Sequence, residues 1–389
     1  MSSLRAAHLG PLVGHTTDTT ARIWIRGAVS SETEDTTNER RSVGVITITH
    51  ENGKKLGKSD RQVYYFRLRR EYDRTGTFTL GEEKGLNNDP LWLLKPETEY
   101  CVRVATLHLD DASPEEASAP QKYLAKRLPD ANVWFDELCG MEPTVSEARF
   151  VTFPATGGGC QPLRFILGSC RYPGLFWKIK LSDAIFGPLL EEAKGRSGRA
   201  PVNMQLMVGD QIYADMLNRN LSISRADTFT EFQDRYHKAF GSRNMRSLLR
   251  QLPTYMILDD HEIEDNWCQD RIRSAESRAV FHMAMDTYRS YQWLHGPSSY
   301  GERLYYEFTC ADYPFFVLDT RTQRYMDDVR DSLDDNHLLG RPSLSEEEPS
   351  QLDLLLKWLD QSQKNHGDRP KFIVSSSVFT PNPIDARSG

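Results

Sequence analysis

What this sequence lacks narrows its possibilities first. No stretch of the 389 residues approaches roughly 18 uninterrupted apolar positions, so nothing in it reads as a membrane span. The opening MSSLRAAHLGPLVGH has one arginine, no apolar h-region and no twin arginine, so it does not read as an export leader. The expected compartment is therefore the cytoplasm. Cysteine is scarce and scattered: Cys101, Cys139, Cys160, Cys170, Cys268 and Cys310 form no CxxC pair, which excludes a zinc ribbon and points to reduced thiols. Excess basic charge is missing as well. The formal charge of −7 argues against a general nucleic-acid binder, though it leaves room for a local basic pocket suited to phosphate. No internal repeat or low-complexity tract is present, and nothing specifies an oligomeric state. What remains is an ordinary soluble composition, 26% charged and 39% hydrophobic, in a chain long enough for two domains.

The first ~150 residues follow the period-2 pattern of strands. ARIWIRG (21–27) puts Ala21, Ile23 and Ile25 on one face and Arg22, Trp24 and Arg26 on the other. VGVITIT (43–49) and VYYFRL (63–68) are rich in β-branched and aromatic residues, and NGK (52–54) is a hairpin turn. In LKPETEYCVRVATL (94–107) a Pro96 turn leads to Tyr100, with Val102 and Val104 pointing the same way, which is the pattern of a tyrosine corner in immunoglobulin-like and fibronectin-like sandwiches. Residues 109–147, polar and including DDASPEEASAP, read as an insert or long loop. ARFVTF (148–153) reads as a closing strand, and PATGGGCQP (154–162) as a linker.

Beyond the linker, strands alternate with helices, the signature of a layered α/β domain. LRFIL, QLMV, PTYMIL, YYEFTC, PFFVLDT and FIVSSSVF are strand-like. WKIKLSDAIFGPLLEEAK reads as an amphipathic helix. Phe229, Phe232, Tyr236 and Phe240 lie at helical spacing behind Asp227 or Thr228 as N-cap. Residues 274–294 form a third helix with Val280, Ala284, Tyr288 and Tyr291 on one face, and EEEPSQLDLLLKWLDQSQ a fourth whose EEE (346–348) is a solvated face. The expected architecture is α/β (α+β overall), with a sandwich over 1–155 followed by a layered domain over 163–389.

Three of those strands open into polar turns rich in ligand chemistry: FILGSC, ending at Cys170; LMVGDQIYAD, with Asp210 and Tyr213; and MILDDHEIEDN, ending at Asn266. Ligands of open α/β sheets gather at the carboxyl ends of strands, so three such ends suggest one shared metal site. Asp210 follows Gly209, whose freedom lets the chain turn so that a carboxylate can bridge two cations. Thiolate and phenolate favour a trivalent or softer metal over a hard oxygen-only site. Asn266 offers a neutral carbonyl oxygen. Asp259, Asp260, His261 and Glu262 crowd one turn, and such like charge is costly unless a cation or arginines compensate it.

GSC, GDQIYAD and DDHEIEDNW, followed by FFVLDTRTQR, are similar to motifs of the PhoD-type alkaline phosphatases (alkaline phosphatase D), a branch of the calcineurin-like metallophosphoesterase superfamily. GPLVGHTTDTTARIWIRG resembles that family's N-terminal β-sandwich, so the resemblance covers almost the whole chain. It implies a binuclear centre, iron with calcium in the best-understood form, while Mn or Zn also suit such ligand sets. Carried over, Cys170, Asp210 and Tyr213 would hold the first metal, and Asp210 would bridge to a second held also by Asn266. A metal-bound hydroxide would then attack the phosphorus of a phosphomonoester or phosphodiester. In that scheme His261 either protonates the leaving oxygen or orients a ligand, and Arg171 and Arg321 are candidates to meet the phosphate. The plainer role for Arg321 is a pair with Asp319. Asp215, Asp259 and Asp260 would support the site from behind. The family's GD-x-H phrase and later His/Asp ligands would lie beyond Gly389, so a fragment or shortened homologue is expected. A non-catalytic two-domain binding protein lacking the full ligand set is the competing reading.

Overall fold

Alternating apolar residues draw the first part of the chain into strands β1 (Leu4–Arg5), β2 (Leu9–Thr16), β3 (Ala21–Arg26), β4 (Arg41–Glu51), β5 (Lys54–Lys55), β6 (Val63–Arg67), β7 (Thr75–Leu80), β8 (Glu99–Leu109) and β9 (Glu147–Val151). The computed structural model describes residues 4–28, 41–109, 128–159, 161–172, 179–195, 200–215, 225–325, 337–341, 343, 345 and 348–379. Among these, β4 and β8 run antiparallel at the centre of one sheet that β1, β5, β6 and β9 complete, while β2, β3 and β7 make a second sheet. Asn52 and Gly53 both have positive φ, 47° and 73°, which is what a two-residue hairpin loop between β4 and β5 requires. Tyr100 is fully buried, and its hydroxyl accepts the Lys95 N–H at 2.9 Å, five residues upstream.

Ile23, Ile25 and Phe78 of the smaller sheet share one apolar core with Ile46, Ile48, Val102 and Val104 of the larger. The other face of β3 is buried too. Trp24 is inaccessible to solvent and donates its indole N–H to the Ser290 carbonyl at 2.9 Å, and Arg26 makes a two-pronged pair with Asp73 at 2.7 and 2.8 Å. Residues 109–147 are not simply an irregular insert. Residues 110–127, with DDASPEEASAP, lie outside the described residues, but 3-10 helix Ala131–Trp134 leads into α1 (Phe135–Gly140) and α2 (Pro143–Ser146). Ala131, Phe135 and Leu138 bury against Val43, Val45 and Leu107, so the outer face of the larger sheet is covered rather than solvated.

The second part holds β10 (Phe165–Gly168), α3 (Ile179–Asp183), α4 (Phe186–Ala193), β11 (Met204–Val208), α5 (Phe229–Phe240), α6 (Arg243–Leu249), β12 (Thr254–Ile257), α7 (Ala275–Tyr291), β13 (Tyr306–Cys310), β14 (Tyr313–Val317), α8 (Gln351–His366) and β15 (Phe372–Val374). The stretch WKIKLSDAIFGPLLEEAK is two short helices, not one, with Trp177 and Lys178 outside the described residues. Pro188 has no N–H to return to the Ala184 carbonyl, so the helix is broken before it and restarts with proline in its first turn. Thr228 is the N-cap of α5, forming a reciprocal capping box with Glu231. In the EEE of 346–348, Glu346 and Glu347 lie outside the described residues, and α8 begins after the Ser350 cap.

β10, β11 and β12 form a parallel sheet. A second sheet pairs β13 with β14 antiparallel and β14 with β15 parallel. Aromatic rings join the two: Tyr255 stacks on Phe308 at 3.9 Å, and Phe165 meets Phe315 and Phe372 edge-on at 5.8 and 5.5 Å. Side chains on the N-terminal strands also enter this core. Trp24 lies 5.7 Å from Tyr291 of α7, which stacks on Tyr236 of α5 at 4.7 Å. The Asp73 carboxylate, already bonded to Arg26, accepts from His237 at 3.0 Å and from Tyr291. Among the described residues, no helix is long and apolar enough to cross a membrane.

Candidate metal centre

Each strand of the parallel sheet ends in a turn, and in each turn one named ligand residue takes a left-handed backbone. Cys170 has φ 57°, Asp210 has φ 55° and Asn266 has φ 56°. Residues other than glycine rarely adopt this region, and at such sites it is commonly tied to function. The turns interlock through backbone bonds. Cys170 N–H donates to the Gly209 carbonyl at 3.2 Å, Arg171 N–H to the Asp210 carbonyl at 2.9 Å, and Ala214 N–H to the His261 carbonyl at 2.8 Å. Gly209, at φ 92°, allows the closest approach, because a Cβ there would stand 2.2 Å from Asp259 Cβ.

The side chains converge on Asp210. The Cys170 thiol donates to Asp210 Oδ2 at 3.2 Å, and the Tyr213 hydroxyl donates to the same oxygen at 3.4 Å. The other oxygen, Oδ1, accepts the His261 backbone N–H at 3.3 Å. Ligand-type atoms of Asp210, Asp260 and His261 all lie within 4.8 Å of one another. Asn266 joins through its backbone, whose N–H donates to Asp260 Oδ2, while its side-chain amide donates to Asp265 at 3.1 Å. Trp267, the next residue, is buried and stacks on Phe281 of α7 at 5.3 Å, which anchors the end of this turn. Cys170 is exposed, unlike a small buried hydrophobe, whereas Asp210 and Tyr213 are buried.

His261 Nδ1 is paired with Asp215 at 2.7 Å, and Asp215 also accepts the Asp265 N–H. The His261 ring leans on Tyr213 with centroids 4.4 Å apart. Arg321 does not use its guanidinium on Asp319. It bonds Asp259 through Nε and faces Asp260 at 3.6 Å through Nη2, while Asp319 holds the Arg321 backbone N–H at 3.1 Å. The expectation that Arg171 meets phosphate is not supported by its position. Its guanidinium donates to Ser242 at 2.8 Å, lies 4.0 Å from Asp183 and stacks over the Phe186 ring at 5.4 Å. Asp183 caps the start of α6 by accepting from Asn244 and Met245 N–H groups, and so draws the arginine away from the carboxylates.

Two further strand ends reach the same place. Thr320 after β14 bonds Ser376 at 2.9 Å and Ser377 at 3.0 Å after β15, and Ser376 also bonds Asp259. The serines carried a readable signal: FIVSSSVF is one more apolar run that opens into a polar turn, as the other three do.

The charge balance explains what the cluster is suited to hold. Burial raises the Asp210 carboxyl to about 6, with Asp259 and Asp260 adding repulsion. Burial likewise pushes up the Asp259 carboxyl and the Tyr213 phenol, and partial desolvation of the otherwise exposed Cys170, with the Asp210 and Asp259 carboxylates beside it, pushes up its thiol. Burial disfavours charge on His261, but the bond to Asp215 and the charges of Asp215, Asp210 and Asp260 outweigh it and raise the imidazole to about 9. These are the directions expected of anionic donors brought together without enough counter-charge. Bound cations would reverse them. A thiol, a phenol and carboxylates around one point form a donor set that fits a transition metal.

The model of the PhoD-like phosphatases matches residues 191–385, half of the chain. The chain belongs to the PhoD-like phosphatase family. It shares the fold of a solved structure described as "Structure of PhoD", with a TM-score of 0.58 and 17% identity. That match covers 96% of the chain and 62% of the other protein, so the chain spans less than two thirds of that relative's length. A purple acid phosphatase, PPD1, from yellow lupin (Lupinus luteus) seeds matches with a TM-score of 0.44 and 10% identity over 84% of the chain and 47% of its own. No curated protein matches the chain. In this chain the strand ends of that mixed α/β fold lie at GSC, GDQIYAD and DDHEIEDN.

Proposed function

We propose that the chain hydrolyses phosphate esters, mono- or diesters, with the help of a binuclear metal centre. Cys170, Asp210 and Tyr213 would hold one metal, and Asp210 and Asn266 would serve the other. The donor set suits iron with calcium, and Mn or Zn as substitutes. The observation that carries this reading is that a thiol and a phenol from separate turns both point at one carboxylate oxygen, within 3.2 and 3.4 Å. Residues 1–155 serve as an N-terminal β-sandwich and 163–389 as the catalytic domain, a division supported by the apolar core the two N-terminal sheets share and by the Tyr100 hydroxyl bond to Lys95. A binding protein without catalysis is not favoured, because such a role gives no reason to gather buried carboxylates around one point.

When bound, such metals neutralise phosphoryl charge and lower the pKa of water. The chain's own residues have separate tasks. Arg321, held by Asp259 and Asp260, keeps a fixed cation beside the carboxylates, where the phosphate arrives. Asp215 fixes His261 through Nδ1, leaving Nε2 as the nitrogen to hold a proton for the leaving oxygen. Thr320, Ser376 and Ser377 offer hydroxyls beside Asp259 for the phosphoryl oxygens. Arg171 acts as a support beneath Cys170.

The test is Asp210→Ala beside the wild-type chain. Metal content by elemental analysis and hydrolysis of an aryl phosphate are measured for both. Loss of both in the variant, with circular dichroism unchanged, supports the reading, and a variant that keeps both rejects it.

A further inference from the structure

Glu262 lies within the crowded DDHE turn, yet its side chain does not point toward the ligands. It is 1% exposed and folds back beneath them. Its Oε2 accepts the N–H groups of Asp210 at 3.0 Å and Asp259 at 2.9 Å, and its Oε1 accepts that of Gln211 at 2.7 Å and the Gln292 amide at 3.0 Å. Four donors fill the acceptor capacity of one carboxylate. Three of them are backbone groups from two different strand ends, β11 and β12. Gln292, just after α7, also reaches the Tyr236 hydroxyl of α5 at 3.1 Å, so the helices brace the carboxylate from below.

We propose that Glu262 is the positioning residue of the metal centre. Its carboxylate clamps the Gly209–Gln211 turn to the turn that begins at Asp259, and so fixes the left-handed backbone from which Asp210 presents its two oxygens. The inference rests on the metal-centre reading above and adds a role for a residue that contacts neither substrate nor metal. Its chemistry demands a carboxylate. Glutamine would aim an N–H₂ group at a backbone N–H, and aspartate is one methylene too short to reach both turns.

Two measurements test it. The first is amide hydrogen exchange, read at Asp210, Gln211 and Asp259, on the wild-type chain and on Glu262→Gln. All three amides should be protected in the wild type and exchange at least about tenfold faster in the variant. The second is titration with Co²⁺ alone, followed by its visible absorption. Wild type should bind and Glu262→Gln should bind roughly 10–100-fold more weakly, the usual effect of losing a group that orients ligands. The absorption at saturation should also change in the variant, which a merely less stable fold would not produce. Glu262→Asp should not restore either property. Unprotected amides at these positions in the wild type overturn the proposal without need of a variant. So does a folded Glu262→Gln with wild-type exchange and wild-type Co²⁺ affinity while the wild type binds the ion. Failure of the wild type itself to bind Co²⁺ overturns the metal-centre reading, and this inference with it.

Discussion

Gly209→Ala is the sharpest structural test of how the site is assembled. The glycine sits at φ 92°, and a Cβ added there would lie 2.2 Å from Asp259 Cβ, 2.8 Å from Asp259 N and 3.0 Å from Asp259 Cα. None of these is the far end of a flexible side chain, so no rotamer change relieves the overlap. The backbone of β11 and β12 must part at the point where Glu262 joins them. The left-handed backbone alone costs a residue with a Cβ about 1–2 kcal/mol. Forced overpacking adds about 1–3 kcal/mol. The sum, about 2–5 kcal/mol, is a large part of the stability of an ordinary domain. Urea unfolding followed by tryptophan fluorescence should show a lower midpoint for Gly209→Ala, and Co²⁺ titration a weaker affinity, because Asp210 moves with the turn. An unchanged midpoint with unchanged Co²⁺ affinity would refute the claim that the two turns touch through Gly209.

Three other outcomes follow from single contacts. Arg321→Ala leaves Asp259 and Asp260 buried without their cation, and breaking a buried pair from one side costs about 3–5 kcal/mol, so the melting temperature should fall; added Ca²⁺ should recover part of the loss, and a melting curve identical to wild type would contradict the pairing. Tyr100→Phe removes the acceptor for the Lys95 N–H and should cost about 1 kcal/mol in urea unfolding, with no effect on metal content; no measurable shift would show that the corner contributes nothing. Burial, helped by the Arg22 charge, lowers the fully buried His295 from its usual 6.5 to about 3. The unfolded chain therefore takes up this proton more readily than the folded one, so the contribution is fully present above the unfolded value and lost as pH falls below it. By about pH 4.5 the loss is roughly 3 kcal/mol, and urea midpoints at neutral and acid pH should differ less in His295→Gln than in wild type.

The three polar turns were legible because a local pattern, an apolar run of strand length followed by polar residues, also fixes where the strand must end. Cys170, Asp210 and Tyr213 could be read this way, since each lies within a few residues of its strand. The partner of Arg321 could not. Asp319 is two residues away in sequence, but the fold turns the guanidinium toward Asp259, in the turn after β12 of the other sheet. Arg171 misled for the same reason. Adjacency to Cys170 suggested phosphate, while Asp183 and Ser242, contacts that no local pattern announces, claim the side chain. The helices of 131–146 were hidden by the polar stretch before them, although Ala131, Phe135 and Leu138 carry the 3–4 spacing of a buried face. The alternation in ARIWIRG was correct, but a period says nothing about what covers the second face. Here Tyr291 and Phe240 of the α/β helices cover Trp24.

The left-handed backbones explain why these candidate ligands gather at all. Along a strand, successive side chains alternate between the two faces of the sheet, so strand residues side by side cannot all point to one spot beyond the edge. A single left-handed residue just past the strand breaks that alternation and turns the chain across the sheet's carboxyl edge. Cys170 and Asp210 each take this conformation two residues past their strands, and Asn266 takes it farther along the turn that follows β12. Aspartate and asparagine tolerate it better than other residues with a Cβ, whereas cysteine has no such local hydrogen bond to compensate. Backbone strain of this kind costs on the order of 1–3 kcal/mol per residue and persists only when the surroundings impose it. The surroundings here are identifiable: Gly209 lets β12 approach, Glu262 ties the two turns, and the Cys170 N–H is held by the Gly209 carbonyl. At the carboxyl edge of this sheet the strain falls on Cys170, Asp210 and Asn266, and the apolar sheets beneath them supply the rigidity that sustains it.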